Sequence, residues 1–539
     1  MRSPAARSIP RAAVRDGPFR ARVCCGSGCV GRGALEVLEA LREAADTAGG
    51  APPVAPSAGI SGCHGWCSRG PLVEIPDLDL LFCGVSPDDA AEIVERTLLG
   101  GEPVPRLLEP DQATGGSFRG RADNPFFAGQ VRRVLGRCGV VDPEDLDHAI
   151  SLGAYHGLQR VVAGLDPAQV VEAVKRSGLR ELGGPGFPVG LKWALVADTP
   201  GDGRFVVGNG DSGDPGLTVD RTLVEGDPHA IIEGLAIAGF AVGARQGRLF
   251  LRSEHALAVA RARRAVAQAR RRGFVGPAVL GSTFDFEIEI LESAGACTGG
   301  EETVLINLLQ GRRAAARPRP PFPAVRGLWG RPTLINTLET LANVPLVFDQ
   351  RHDGPGPGRL TKVVAVSGAV ARPGLVEVPL GTPVARVVEE IAGSGGRDRL
   401  RAVHIGGPGG LTLGPDDLET AIDHDVLREA GASLGSGGLV VLAEDDCVVR
   451  LARYLVAACA EQSCGTCPPC RIGTRVLLNL VDRVSSGAGE TGDLESLTRL
   501  CHHIRRTSLC EIGRAAPMAV IGGLDRFRRE WEAHLVGRG

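Results

Sequence analysis

Three cysteines spaced two residues apart, in the stretch SCGTCPPC, are the strongest chemical signal in the chain. Cys464, Cys467 and Cys470 place three thiolates around one corner of an iron–sulfur cube, so a fourth ligand must come from elsewhere. Cys510, in SLCEIG, is the best-placed residue for that role. Pro468 and Pro469 stiffen the loop, and Gly465 allows backbone N–H groups to approach the sulfurs. Zinc competes for such a site, although it usually takes two separated pairs and not a tight triplet. Cys501, followed by His502 and His503, is the rival fourth ligand, but it lies on the apolar face of a helical pattern.

A second set is Cys24-x4-Cys29 with Cys63-x3-Cys67. One pair on each of two loops suits a two-iron cluster held between them. Cys25 is a competing neighbour, and spacing alone leaves zinc and a redox disulfide open.

The third signal is a series of glycine and acid loops. In GLRELGGPGFPVGLKW, the glycines Gly183, Gly184, Gly186 and Gly190 let the backbone approach a phosphate-bearing ligand, with Lys192 as countercharge. The spacing is not the G-x-G-x-x-G of a dinucleotide fingerprint, and a glycine run alone is commonly a tight turn. VVGNGDSGDPG brings Asn209, Asp211 and Asp214 onto a loop after a strand, where α/β sheets bind ligands; a solvated acidic turn is the plainer alternative. GGEETV sets Glu301 and Glu302 after Gly300, either as ligand groups or as an exposed helix cap. PPFPA carries Phe322, and PTLINTLET carries Asn336 and Thr337.

These loops need a scaffold. Residues 20–108 alternate strand, helix, strand, hairpin and helix, with a helical stretch at Ala34 to Ala45 and a Pro/Ala/Gly loop at Gly49 to Ala58, a pattern of a small α/β domain. Residues 1–19 read as a loose tail and 109–123 as a polar linker. From 124 to 350, helical periodicity alternates with short β-runs such as Phe205 to Val207, which predicts a largely parallel sheet with ligands at the strand ends. Residues 356–443 read as a β-grasp unit with strands near Val363 to Val366 and Leu439 to Leu442. Residues 446–539 turn helical, and four amphipathic stretches in about 90 residues predict a bundle, the last running from Glu511 to Leu535.

Composition bounds the function. The 539 residues are 43% hydrophobic and 23% charged, an ordinary globular balance of about three or four domains. Net charge is −3, with 60 bases against 63 acids, which gives no general attraction to nucleic acid. Lys175, Lys192 and Lys362 are the only lysines; with 76 glycines, this reflects a GC-rich genome more than phosphate binding. No apolar run reaches the roughly 20 residues of a membrane helix, so no direct membrane insertion is expected. The start, Met1 to Arg22, lacks an apolar secretory segment, and the 15 cysteines are odd in number and clustered. Metal binding in a reducing, cytoplasmic compartment is therefore expected over a disulfide framework.

In order and spacing, these segments resemble the NADH-oxidising flavoprotein component of respiratory complex I and the diaphorase subunits of NAD-dependent formate dehydrogenases and hydrogenases. The family's GRGGAGFPTGLKW is ELGGPGFPVGLKW here; its CGEET is GGEET, its PFPA is kept, and NNVETLANVP is NTLETLANVP. PGLVEVPLGT and LGSGGLVVL resemble its soluble-ligand-binding (SLBB) β-grasp domain and the segment after it. CCGSGC with CHGWCSRGP resembles the thioredoxin-like two-iron domain fused in the formate dehydrogenase and hydrogenase branch.

The resemblance implies an α/β multidomain chain: a thioredoxin-like [2Fe-2S] domain, a Rossmann-like FMN/NADH domain, an SLBB domain and a helical [4Fe-4S] domain. It implies that Gly183, Gly184 and Gly186 approach the phosphate and ring of FMN. Lys192, Asn209 and Asp211 would hold the ribityl chain, with Gly300, Glu301, Asn336 and Thr337 closing around it. Phe187, Asp214, Glu302 and Phe322 would hold NAD against the flavin, and hydride exchange would need no catalytic acid or base from the protein. The implied partners are other subunits of a redox complex: a two-iron thioredoxin-like subunit, a formate dehydrogenase, a hydrogenase or a complex I-type iron–sulfur subunit. Through them the chain could sit on the inner face of a membrane. It departs from the family pattern at Glu181 and Leu182 (Gly-Arg in the family), Pro185, Leu195 (Phe), Ser212 (acidic) and Cys297 (Tyr). Leu182 and Leu195 would remove charge and stacking contacts to a nucleotide.

Overall fold

The computed structural model describes residues 19–49, 56–111, 114–211, 213–214, 218–293, 300–349 and 360–536. Ser212, Cys297, most of the expected tail and most of the Gly49 to Ala58 loop lie outside them. The chain divides into two units, Met1–Ala128 and Gly129–Gly539.

In the first unit, β1 (Arg20–Cys24), β2 (Ser57–Ser61), β3 (Val73–Ile75) and β4 (Leu80–Phe82) form a sheet in the order β2-β1-β3-β4. β1 is parallel to β2, and a parallel pair needs a crossover. The helix Ala34–Ala48 provides it, burying Val37, Leu38, Leu41 and Ala45 along one stripe. β3 and β4 pair as an antiparallel hairpin. Residues 109–123, expected as a linker, contain a short ladder of β5 (Glu109–Pro110) against β6 (Ser117–Phe118). Glu109 is buried against Arg69 at 2.7 Å, and Phe126 stacks on the buried Trp66 at 4.9 Å. Polar composition hid this packing.

The second unit begins with a four-stranded sheet. β7 (Phe205–Gly210), β8 (Gln246–Arg252), β9 (Glu287–Ser293) and β10 (Thr333–Thr337) lie in the order β10-β7-β8-β9, all parallel. Helices cross between the strands, and Pro228–Val242 is buried on nearly every residue, so it reads as continuous apolar sequence without amphipathic contrast. Helix ends follow local rules: Asp166 and Gln169 form a capping box with Pro167 at the first turn, and Gly178 ends that helix in the left-handed region (φ 71°).

β11 (Thr361–Gly368), β12 (Gly374–Pro379), β13 (Leu400–Ile405), β14 (Leu411–Leu413) and β15 (Gly438–Ala443) form a mixed sheet in the order β12-β11-β15-β13-β14. The two strands anticipated from sequence, now β11 and β15, are parallel neighbours.

The C-terminal region packs the helices Val448–Glu461, Gly473–Ser485, Asp493–Thr507 and Met518–Arg526 around a core that includes Val456, Leu477, Val481, Leu497, Ile504 and Trp531. The stretch expected as one helix from Glu511 is three pieces, Glu511–Ala515, Met518–Arg526 and Arg528–Ala533. Pro517 stands at the break before Met518, where it cannot continue the preceding hydrogen-bond ladder.

Candidate functional site

Sheet register places the N-terminal cysteines. Cys24 ends β1 opposite Ser61 of the parallel β2, and Cys63 comes two residues later, so the two cysteine loops meet at the same sheet end. Cys63 and Cys67 sulfurs lie 3.9 Å apart. Side chains at Gly26 or Gly70 would collide with Cys63 and Cys29, at 2.7 Å and 2.5 Å respectively, so small residues are required for the loops to close. Hydrogen bonding to Cys24 draws the Cys63 and Cys29 thiols below their ordinary pKa, while Cys24 itself is pushed up. These four residues are a thiol set of the kind that holds a two-iron cluster.

In the second unit, Cys464, Cys467, Cys470 and Cys510 line one cavity with Ala316, Leu509 and Ile512. Gly513 permits the approach of the two loops, since a Cβ there would lie 2.6 Å from the Ser508 hydroxyl and 3.0 Å from Cys470. Cys501 is instead fully buried in the helical core and does not line this cavity. The four sulfurs are not drawn to a single point. Among the described residues no three His, Cys, Asp or Glu side chains are grouped to hold one metal ion, whereas a cubane spreads its ligands over separate irons. Burial pushes the Cys510 thiol up to about 11, so iron must displace its proton on binding.

The glycine and acid loops gather at the carboxyl ends of β7 and β10. A cavity of about 210 Å³ is lined there by Leu182, Gly183, Gly210, Asp214, Asp220, Arg252, Thr337 and Glu339, among others. Gly183 packs so closely on Thr337 that a Cβ would lie 2.2 Å from its methyl, while Gly184 faces open space. Gly186 adopts φ 75° and abuts the ring of His424, so its role is partly to let the chain turn. Asn209 accepts from the Asp211 N–H at 3.1 Å and donates to the Gly300 carbonyl at 3.4 Å, linking two of the loops. Asn336 accepts from the Trp193 indole at 3.1 Å.

Glu301 caps the helix Glu302–Leu309, accepting from the N–H groups of Thr303 and Val304 at 2.9 Å. Lys192 bonds Glu302 at 2.6 Å and lies 3.4 Å from Glu181. Burial alone would lower the Lys192 pKa, but these two carboxylates raise it above its ordinary value. Asp214 turns toward the mixed sheet region and accepts from the Ser436 N–H at 3.1 Å. Phe187 and Phe322 are each 51% exposed and do not line the cavity.

Sequence reasoning missed three charged groups. Arg319 reaches Glu301 at 3.2 Å and Glu302 at 3.5 Å, and Arg252, at the end of β8, contacts Asp211 at 3.2 Å. The third, Glu181, is buried at the base of the site. Its carboxylate collects donors from Asn336, Thr337, Thr340 and Lys192. Strand-end position was a signal for Arg252, Glu181 was visible as a departure from the family's glycine, and Arg319 had no signal.

The residues around this cavity are of the types that would hold a flavin's polar side chain. Gly183, Gly210 and Gly213 present backbone and no side chain to this space, and at the adjoining end of β7 the Asp211 carboxylate pairs with Arg252 at 3.2 Å and with the Ser293 hydroxyl.

Comparisons with known proteins agree with this layout. Residues 174–346 match the family model described as the Nuo51 FMN-binding domain, 363–416 the SLBB domain, and 450–534 the NADH-ubiquinone oxidoreductase-F iron-sulfur binding region. The NADP-reducing hydrogenase subunit HndC of Solidesulfovibrio fructosivorans is 41% identical over 412 residues, covering 75% of this chain and 84% of the relative. The NADH-quinone oxidoreductase F 2 subunit of Rhizobium meliloti is 40% identical over 393 residues, covering 72% and 93%. The chain belongs to the family of NADH-quinone oxidoreductase F subunits. A solved NAD⁺-reducing [NiFe]-hydrogenase in its H2-reduced state extends the likeness of this family member to 97% of its length and 85% of that chain, with 25% identity and a TM-score of 0.66. Among the described residues no helix is long and apolar enough to cross a membrane.

Proposed function

We propose that the chain is the flavin and iron–sulfur subunit of a redox complex, exchanging electrons between NAD(H) and partner subunits. One observation carries this: the helix Glu302–Leu309 ties the two candidate centres of the second unit together. Its first turn holds the Lys192–Glu302 pair beside the glycine loops, while Val304 and Leu308 pack with Cys464 and Cys510. A bound flavin would supply the exchange between two-electron and one-electron chemistry. The protein's residues supply position and charge: Gly183 and Gly184 give access, Asp211 and Asn209 offer hydrogen bonds, and Lys192 with Arg319 holds Glu302 in place. The N-terminal thiol set would hold a [2Fe-2S] cluster and pass electrons to a partner subunit of the hydrogenase, formate dehydrogenase or complex I type, in a cytoplasmic assembly. Purified, flavin-loaded protein should reduce ferricyanide with NADH. Flavin-loaded protein inactive with both NADH and NADPH would leave an electron conduit with a degenerate nucleotide site as the better account.

Three results are expected from this assignment. Glu302→Ala should reduce nucleotide turnover more than flavin content, because a charge-assisted bond of about 1.5–3 kcal/mol is lost, roughly ten- to 150-fold in an equilibrium constant. Steady-state kinetics beside a flavin assay measures both. Cys24→Ser should remove a two-iron paramagnetic signal and leave NADH–ferricyanide activity in place, because ferricyanide takes electrons upstream of that centre.

The third concerns pH. Burial holds the pKa of Asp211 up at about 6 and that of Asp220 up at about 7. As pH falls through these values both lose negative charge, so an anionic nucleotide should bind more tightly near pH 6 than near pH 8. Titration calorimetry with NADH across that range should show the trend, flattened in Asp220→Asn.

A further inference from the structure

Glu181 stands where sequence reasoning found only a departure from the family's glycine. Its side chain is buried, and its hydrogen-bond partners among the described residues are all donors. Oε1 accepts from the Thr337 N–H at 2.9 Å, the Thr337 hydroxyl at 2.8 Å and the Thr340 hydroxyl at 2.7 Å. Oε2 accepts from the Asn336 amide at 2.7 Å and lies 3.4 Å from the Lys192 ammonium. Thr337 is the cap of the 11-residue helix Leu338–Phe348, so the positive end of that helix also points at the carboxylate. Burial works against ionisation, yet Lys192 and the hydrogen bonds more than offset it and hold Glu181 below the usual carboxylate range.

A backbone N–H at a helix N-terminus, two hydroxyls, an amide and an ammonium are the donor set that receives a phosphate monoester. The set is continuous with the flavin cavity, because Leu182, Gly183 and Thr337 all line it. FMN carries its negative charge on one terminal phosphate, and riboflavin lacks that group. We infer that Glu181 fills, from within the chain, the anion cradle that the phosphate of FMN would otherwise occupy, so that the protein does not favour FMN over riboflavin. This rests on the flavin reading of the cavity, but the cradle itself can be probed without a flavin.

The distinction matters for the site's chemistry. A phosphate entering beside an ionised Glu181 would meet like charge and find its donors already engaged. Leu182, at the next position, brings no compensating cation. Removing the side chain should therefore free the Asn336, Thr337 and Thr340 donors together, with Lys192 still on Glu302 as the nearby cation, whereas a glutamine, which keeps the bulk, should leave the cradle filled.

The test uses the full-length protein stripped of flavin, with fluorescence titration of FMN and riboflavin and thermal unfolding in inorganic phosphate. Wild type should bind the two flavins within about threefold of each other. Glu181→Gly should gain about tenfold or more for FMN with riboflavin little changed, and phosphate should raise the unfolding temperature of this variant but not of wild type or Glu181→Gln. Wild type binding FMN more than about tenfold tighter than riboflavin overturns the inference. So does a Glu181→Gly protein that gains nothing for FMN or phosphate, or a Glu181→Gln protein that gains as much as the glycine variant. If no variant binds either flavin while phosphate still stabilises only Glu181→Gly, the cradle stands and the flavin assignment falls. Should Glu181→Gly fail to fold, the wild-type ratio of the two flavins decides.

Discussion

Replacing Cys467 by serine should abolish the reduced four-iron signal in paramagnetic resonance and lower iron content by roughly four atoms per chain. The loss should be complete and not graded, since a cubane held by four thiolates does not assemble stably when a corner ligand is exchanged for a poorer one. Flavin binding should survive, because the cysteine cavity is lined by Ala316, Leu509 and Ile512 and shares no lining residue with the cavity around Gly183 and Asp214. Cys510→Ser should behave the same way and Cys501→Ser should not, as Cys501 belongs to the helical core. Unchanged iron in Cys467→Ser, or zinc in the wild-type protein, would contradict the assignment.

A second large effect is expected in the core. Lys362 on β11 is fully buried, and its ammonium bonds the Glu339 carboxylate, the Val363 carbonyl at 2.9 Å and the Ser436 carbonyl at 3.0 Å. Glu339 also accepts from the Val363 N–H at 2.7 Å. Lys362→Met would leave that carboxylate buried without its cation, and breaking one side of such a pair costs about 3–5 kcal/mol. The denaturation midpoint of the second unit should drop sharply. Adding Glu339→Gln should recover much of the loss, because the amide can still accept from Val363 without carrying charge. Since Glu339 also lines the cavity, the single variant should lose ligand binding together with stability. A single variant as stable as wild type would show that the pair does not secure the mixed sheet region to the helix Leu338–Phe348.

Legibility in the sequence tracks the range of the interactions. The Cys464, Cys467 and Cys470 triplet was plain because its spacing is local, and the alternating strands and helices were plain because their periodicity is local. That Cys501 faces the helical core while Cys510 shares a cavity with the triplet follows in part from the helical face of residues 493–507, which spacing can give. Glu181 could be seen to differ from a family pattern, but its bonds to Thr337 and Thr340 arise only when β10 lies beside the glycine loop. Lys362 reads as one charge in an apolar strand until the fold sets it against Glu339. Arg319, inside a proline-rich run, gave no sign that it would reach Glu301 and Glu302. The packing within residues 109–123 was hidden for a related reason: polar composition describes a loop's surface and says nothing of Glu109 turning inward to Arg69.

An anaerobic titration of the flavin-reconstituted, full-length protein with NADH, followed by optical absorbance and paramagnetic resonance, tests the central claim most directly. The account predicts that NADH bleaches the bound flavin and brings up the reduced four-iron signal in the same titration, with Cys467→Ser retaining the first change and losing the second. A protein with bound flavin and an intact cluster that dithionite reduces, but neither NADH nor NADPH does, would contradict it.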